Sequence, residues 1–132
     1  MNAVVALLVA VAAVVTGCGS RHAHGRPCTL IGCDSALFVR LRDKPAGTST
    51  VELCSGARCV RLGRDTDAIQ LALGHRTRGG AVPLALTFRD ASNRVISQAR
   101  RNAQLRRAQP NGPGCAPVCY QAAFTWAHGR LS

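Results

Sequence analysis

An all-β, disulfide-braced sandwich of about seven strands is what this sequence predicts, and three observations carry the expectation. Short runs of alternating apolar and polar residues recur with turn signals about every 8 to 12 residues, the rhythm of a two-layer β domain. Six cysteines remain once Cys18 is set aside, an even number and so a possible framework of bridges. The stretch from Val51 to Leu62 pairs with itself, residue by residue, as a hairpin.

Taken in order, Leu37-Phe38-Val39-Arg40-Leu41-Arg42 alternates, with Leu37, Val39 and Leu41 on one face and Arg40 and Arg42 on the other, and reads as a half-buried strand. Asp43-Lys44-Pro45-Ala46-Gly47 stops it with a turn. In the hairpin, a four-residue loop Ser55 to Arg58 sets Cys54 opposite Cys59, Leu53 opposite Val60, Glu52 opposite Arg61 and Val51 opposite Leu62. Four aliphatic residues then face inward, while the thiols and the ion pair face outward. Cys54 with Cys59 is therefore the first disulfide assignment.

Ala68 to Leu73 is the next strand, with Ile69, Leu71 and Leu73 inward; Val82 to Arg89 follows, with Val82, Leu84, Leu86 and Phe88 inward. Asp90 to Asn93 is a turn that folds Phe88 back towards Val95. Arg94 to Gln109 has helix-forming composition, and neither a helical nor a strand period gives it an apolar face free of arginine. Its neighbours favour strand over helix, because a lone helix would need a sheet face to cover. The last strand, Tyr120 to Trp126, puts Tyr120, Ala122, Phe124 and Trp126 on one face.

Cys28 lies close in sequence to Cys33, and Cys115 to Cys119, with Gly32 and Pro117 between them to supply turns. Local bridges are favoured. The rival pairing links Cys28 or Cys33 to Cys115 or Cys119 and closes a long loop.

Residues 3–15 are an uninterrupted small-and-aliphatic run ending in Val15-Thr16-Gly17-Cys18. The run has the length of a secretory apolar region and falls short of the roughly 20 residues of a membrane-spanning helix. This segment resembles a bacterial lipoprotein signal, which implies that Cys18 is acylated and becomes the N-terminus of an exported protein held on the outer face of the cell membrane. No Lys or Arg precedes the run, so the true translation start is expected upstream of Met1. Residues 1–17 are then a signal peptide, 18–27 a flexible tether and 28–132 one domain. That domain resembles small immunoglobulin-like or fibronectin-III-like sandwiches, in particular exported proteins of GC-rich bacteria with a Gln109 to Cys115 type segment before the last strand. Such a fold does not by itself assign a function.

The net charge is +11, and no ionisable side chain lies in residues 1–17, so the whole of it belongs to the mature part. Outside a membrane such a field favours anionic lipid, acidic polysaccharide or teichoic-type polymer over nucleic acid. Arg76, Arg78, Arg100, Arg101, Arg106 and Arg107 are the candidate polyanion contacts. Lys44 is the single lysine among the 17 cationic side chains, a bias that solvated arginines of a GC-rich genome also explain.

Nothing in the motifs points to catalysis, a cofactor or a bound metal. No phosphate loop, dinucleotide fingerprint, zinc-protease helix or nucleophile elbow occurs, and the six acidic residues are scattered. The cysteine spacings are wrong for a common zinc ribbon, and a Cys-x-x-Cys redox motif is lacking. His22 and His24 fall in the tether, His75 and His128 at strand ends, and Asp65-Thr66-Asp67 reads as a strand-entry turn rather than a calcium loop. The expected role is non-catalytic: an interaction or envelope-structural module. Polymer binding through the arginines, or carriage of a small ligand or metal, are the alternatives.

Overall fold

A computed structural model describes residues 28–75 and 77–132. The expected lipid site Cys18, the expected signal and tether ranges, His22, His24 and Arg76 lie outside the described residues.

Eight strands and no helix make up the described residues: β1 Ala36–Leu41, β2 Thr50–Ser55, β3 Arg58–Gly63, β4 Ala68–Ala72, β5 Gly80–Arg89, β6 Val95–Ala108, β7 Cys119–Ala127 and β8 Arg130–Leu131. They hydrogen-bond in the order β3-β2-β5-β6-β7-β1-β4, with β8 beside β7. The two ends of that path, β3 and β4, come together without a ladder, so the sheet is nearly closed into a barrel. Every pairing is antiparallel except β1 with β7.

Period-2 patterning fills the interior. Leu37, Val39 and Leu41 of β1, Val51 and Leu53 of β2, Ile69 and Leu71 of β4, and Leu84, Leu86 and Phe88 of β5 are all buried, as their alternation requires. Phe88 and Trp126 meet at the centre, with ring centroids 4.8 Å apart at 44°. Each such side chain contributes on the order of 1.5–3 kcal/mol by leaving water.

The β2–β3 hairpin has the expected register: Val51 opposite Leu62, Glu52 opposite Arg61, Leu53 opposite Val60, Cys54 opposite Cys59. The ladder runs one pair further, to Ser55 and Arg58, and leaves a two-residue turn of Gly56 and Ala57 instead of a four-residue loop. Gly56 has φ +57°, the left-handed backbone that a tight hairpin needs at its first central position. One inward assignment is corrected. Leu62 is 37% exposed, because β3 is the terminal strand of the path and only Val60 of that strand packs on the core.

Most of Arg94 to Gln109 is strand: the 14-residue β6 takes all of it but Arg94 and Gln109. Asp90 builds the turn before it, accepting the backbone N–H groups of Ser92 and Arg94 at 2.9 Å each. Phe88 faces Ser97 rather than Val95, since a register shift between Phe88 and Arg89 puts Arg89 opposite Val95. Pro83 is tolerated inside β5 because β2 pairs β5 no further than Ala85 and β5 has a free edge beyond it.

The favoured local bridges at the chain ends are also corrected. Cys28 bonds Cys115, Cys33 bonds Cys119, and the hairpin bridge Cys54 to Cys59 forms as expected. Parallel pairing of β1 with β7, with Ala36 opposite Gln121, is the physical reason. It lays the segment leading into β1 beside the segment leading into β7, so each cysteine meets one from the other segment. Asn111 holds the same contact: its side-chain amide donates to the carbonyl of Ile31 at 2.9 Å and its carbonyl oxygen accepts the N–H of Ile31 at 3.0 Å.

Candidate functional site

Between β6 and β7 the barrel wall splits. The strands pair only over Arg106 to Ala108 with Cys119 to Gln121, after which β6 follows β5 and β7 follows β1. The C-terminal residues fill part of the gap: β8 pairs with β7, and Ser132 and Thr125 exchange backbone hydrogen bonds of 2.7 and 2.9 Å. What remains open is a cleft of about 630 Å³.

Arg101, Arg106 and Arg107 line this cleft, with the amides of Asn102, Gln104 and Gln121 between them and the Phe124 ring on its floor. Arg101 stands opposite Leu84, on the core-facing side of its strand. It is tolerated there because the split gives it an exit. Its stem leaves the interior and its guanidinium lies 5.0 Å from the Phe124 ring centroid, donating a 2.8 Å hydrogen bond to the carbonyl of Leu131. Arg107 donates to the side-chain oxygen of Gln109 at 2.7 Å.

None of these three arginines has a carboxylate partner among the described residues. All six acidic residues are described, and five lie elsewhere beside a basic side chain: Glu52 between Arg61 and Arg89, Asp90 with Arg94, Asp65 with Arg64, Asp67 with Lys44, and Asp43 beside His128. Five of the six acids are spent on these pairs, and the sixth, Asp34, accepts the Gln121 amide at its backbone carbonyl without lining the cleft, so the charged side chains that line the cleft are all cationic.

The six arginines singled out from sequence are thus divided. Arg101, Arg106 and Arg107 share the cleft, while Arg100 sits in an adjoining groove with Arg101 and Asn102 and donates to the side-chain oxygen of Gln98 at 3.1 Å. Arg78 directly precedes Gly79, where an added Cβ would stand 3.1 Å from the Tyr120 ring, and Tyr120 is the register partner of Arg107. Arg78 therefore belongs to the same end of the barrel as Arg107. Phe38, Arg40 and Gln70 carried no site signal in the sequence, since a polar-apolar alternation looks the same whether or not its outward face is grooved.

The described residues hold no group of three or more His, Cys, Asp or Glu side chains placed to take a metal ion, and all six described cysteines are in disulfides. Comparison with protein-family models, curated proteins and solved structures finds no match for the chain.

Proposed function

We propose that this chain is an exported, lipid-anchored, non-catalytic binding module of a bacterial cell envelope, built on a sandwich-like variant of the immunoglobulin type, and that its β6–β7 cleft takes an anionic envelope polymer. The carboxylate-free cluster of Arg101, Arg106 and Arg107 carries this reading. Guanidinium forks bind carboxylate and phosphate oxygens in bidentate fashion, and neutral amides beside them can serve hydroxyl groups. Three disulfides fit an oxidising compartment, and the lipoprotein-like Val15 to Cys18 segment supplies the anchor.

Binding of an acidic envelope polymer, titrated at rising salt, tests this. Affinity is expected to fall steeply with ionic strength as condensed counterions cease to be released, and Arg106→Gln with Arg107→Gln is expected to flatten the salt slope. Equal binding to a neutral polymer of the same length would overturn the reading.

A further inference from the structure

The cleft does not end at β7. A second groove of about 520 Å³ crosses the outer face of β4, β1 and β7, and the two recesses share Phe38, Ala123 and Phe124. Strand register makes them continuous. Phe38 stands opposite Gln70 of β4 and Ala123 of β7, and one row along Arg40 stands opposite Ala68 and Thr125. Because Ala68 and Ala123 are short and exposed, the half-buried Phe38 ring is the main apolar surface of this groove. From β4 across β1 to β7 the path covers two interstrand spacings, about 10 Å, and the cleft then separates β7 from β6.

We infer that cleft and groove form a single trough that holds an acidic polysaccharide, a sugar ring against Phe38, its carboxylates on Arg40 at one end and on Arg106 and Arg107 at the other. The inference rests on the anionic-polymer reading and narrows its ligand. Three features select a carboxylated glycan. Aromatic faces, electron-rich at the centre, suit the C–H faces of sugar rings, which a flexible glycerol-phosphate chain does not present. The side chains of Gln70, Gln104, Gln121 and Thr125 give donors and acceptors for hydroxyl groups along the same line. Positive charge stands at both ends, with none of the six acidic residues among the lining side chains, so the charge complements a chain with regularly spaced anions and not one isolated ion.

The test titrates oligogalacturonates, as monomer and as tetramer, against the disulfide-intact protein and three variants, with thermal midpoints confirming that each is folded. Arg40→Gln and Phe38→Leu are each expected to weaken the tetramer about tenfold, and Arg40→Gln to leave the monomer unchanged. Arg106→Gln with Arg107→Gln is expected to weaken both ligands about tenfold. Unchanged tetramer affinity in Arg40→Gln and Phe38→Leu would overturn the trough while leaving the cleft as an anion site. Unchanged affinity in the Arg106 and Arg107 variant would overturn the cleft itself. Tighter binding of poly(glycerol phosphate) than of the tetramer, insensitive to Phe38→Leu, would overturn the glycan assignment alone.

Discussion

Glu52 illustrates how a single side chain is shaped by its strand position. Its outward face puts it beside both Arg61 and Arg89, with the Arg61 Nε donating at 3.0 Å and the Arg89 guanidinium 3.6 Å away, and its side chain is only 16% exposed. Glu52→Gln removes the charge and keeps the shape, so a loss of about 1 kcal/mol is expected, the upper range for a partly exposed pair. Leu53, one residue on, is fully buried among the core aliphatics. Leu53→Asp forces a carboxylate into that core and is expected to abolish a cooperative unfolding transition, whereas Glu52→Gln shifts the denaturant midpoint modestly. Similar loss from both substitutions would refute the register.

Asp90 gives a pH signature at the same scale. The Arg94 backbone N–H donated to its carboxylate holds its pKa below the ordinary value, helped by the Arg94 guanidinium and the Ser92 N–H against a smaller opposing effect of desolvation. A folded-state pKa below the unfolded one stabilises the protein at all pH above the unfolded value, and this contribution is lost as pH falls through the folded value. Asp90→Asn should therefore be less stable than the parent at neutral pH, and the gap should narrow on acidification below the usual carboxylate range. Denaturation midpoints across that range check it, and a gap that widens in acid would contradict the assignment.

Elements differ in how far the sequence could reveal them. The β2–β3 hairpin was legible because its whole register is contained in a dozen adjacent residues, where apolar, ionic and thiol pairs all agree. The β1–β7 pairing was not, since residues separated by more than eighty positions leave no local pattern, and the disulfides that depend on it were misassigned with it. Arg101 obscured β6 in a similar way: an arginine on the core-facing parity makes sense only once the neighbouring strand is seen to diverge, and the cleft was illegible for the same reason. The bridges are unequal too. In a chain-entropy account, the two long bridges together restrict the unfolded chain by more than about 4 kcal/mol, since the first of them closes a sequence separation of 87, against about 2 kcal/mol for the hairpin bridge. Replacing Cys28, Cys33, Cys115 and Cys119 together by Ser is thus expected to lower the thermal midpoint more than Cys54→Ser with Cys59→Ser. The same experiment, run with non-reducing peptide mapping, should link Cys28 to Cys115 in the hairpin variant, and the reverse order of midpoints would argue against the long-range pairing.

Across the whole molecule, charge and anchor act together. An excess of eleven positive charges, with most acids already paired, leaves a cationic surface that a bilayer rich in anionic headgroups attracts even before any lipid is attached. In the proposed anchor, acylation at Cys18 would convert attraction into retention, since each buried methylene adds roughly 0.8 kcal/mol. Cys18→Ala is expected to abolish incorporation of a clickable fatty acid and release the protein from the membrane fraction, with unchanged circular dichroism of the domain. Equal labelling of parent and variant would dismiss the anchor.

Seen as a mechanical object, the domain has its handle in an unusual place. A load applied at the segment before residue 28 does not peel β1 from its neighbours, because Cys28 hands the force through a covalent bond to Cys115 before it reaches the strand. Chain length between the two sulfur atoms, a sequence separation of 87, is shielded behind that bond. In the proposed lipid-anchored arrangement, shear would therefore be borne by the Asn111 to Cys119 region, next to the end of the barrel where Arg107 pairs with Tyr120, and the two strands that frame the cleft would keep their spacing under tension until the disulfide is reduced.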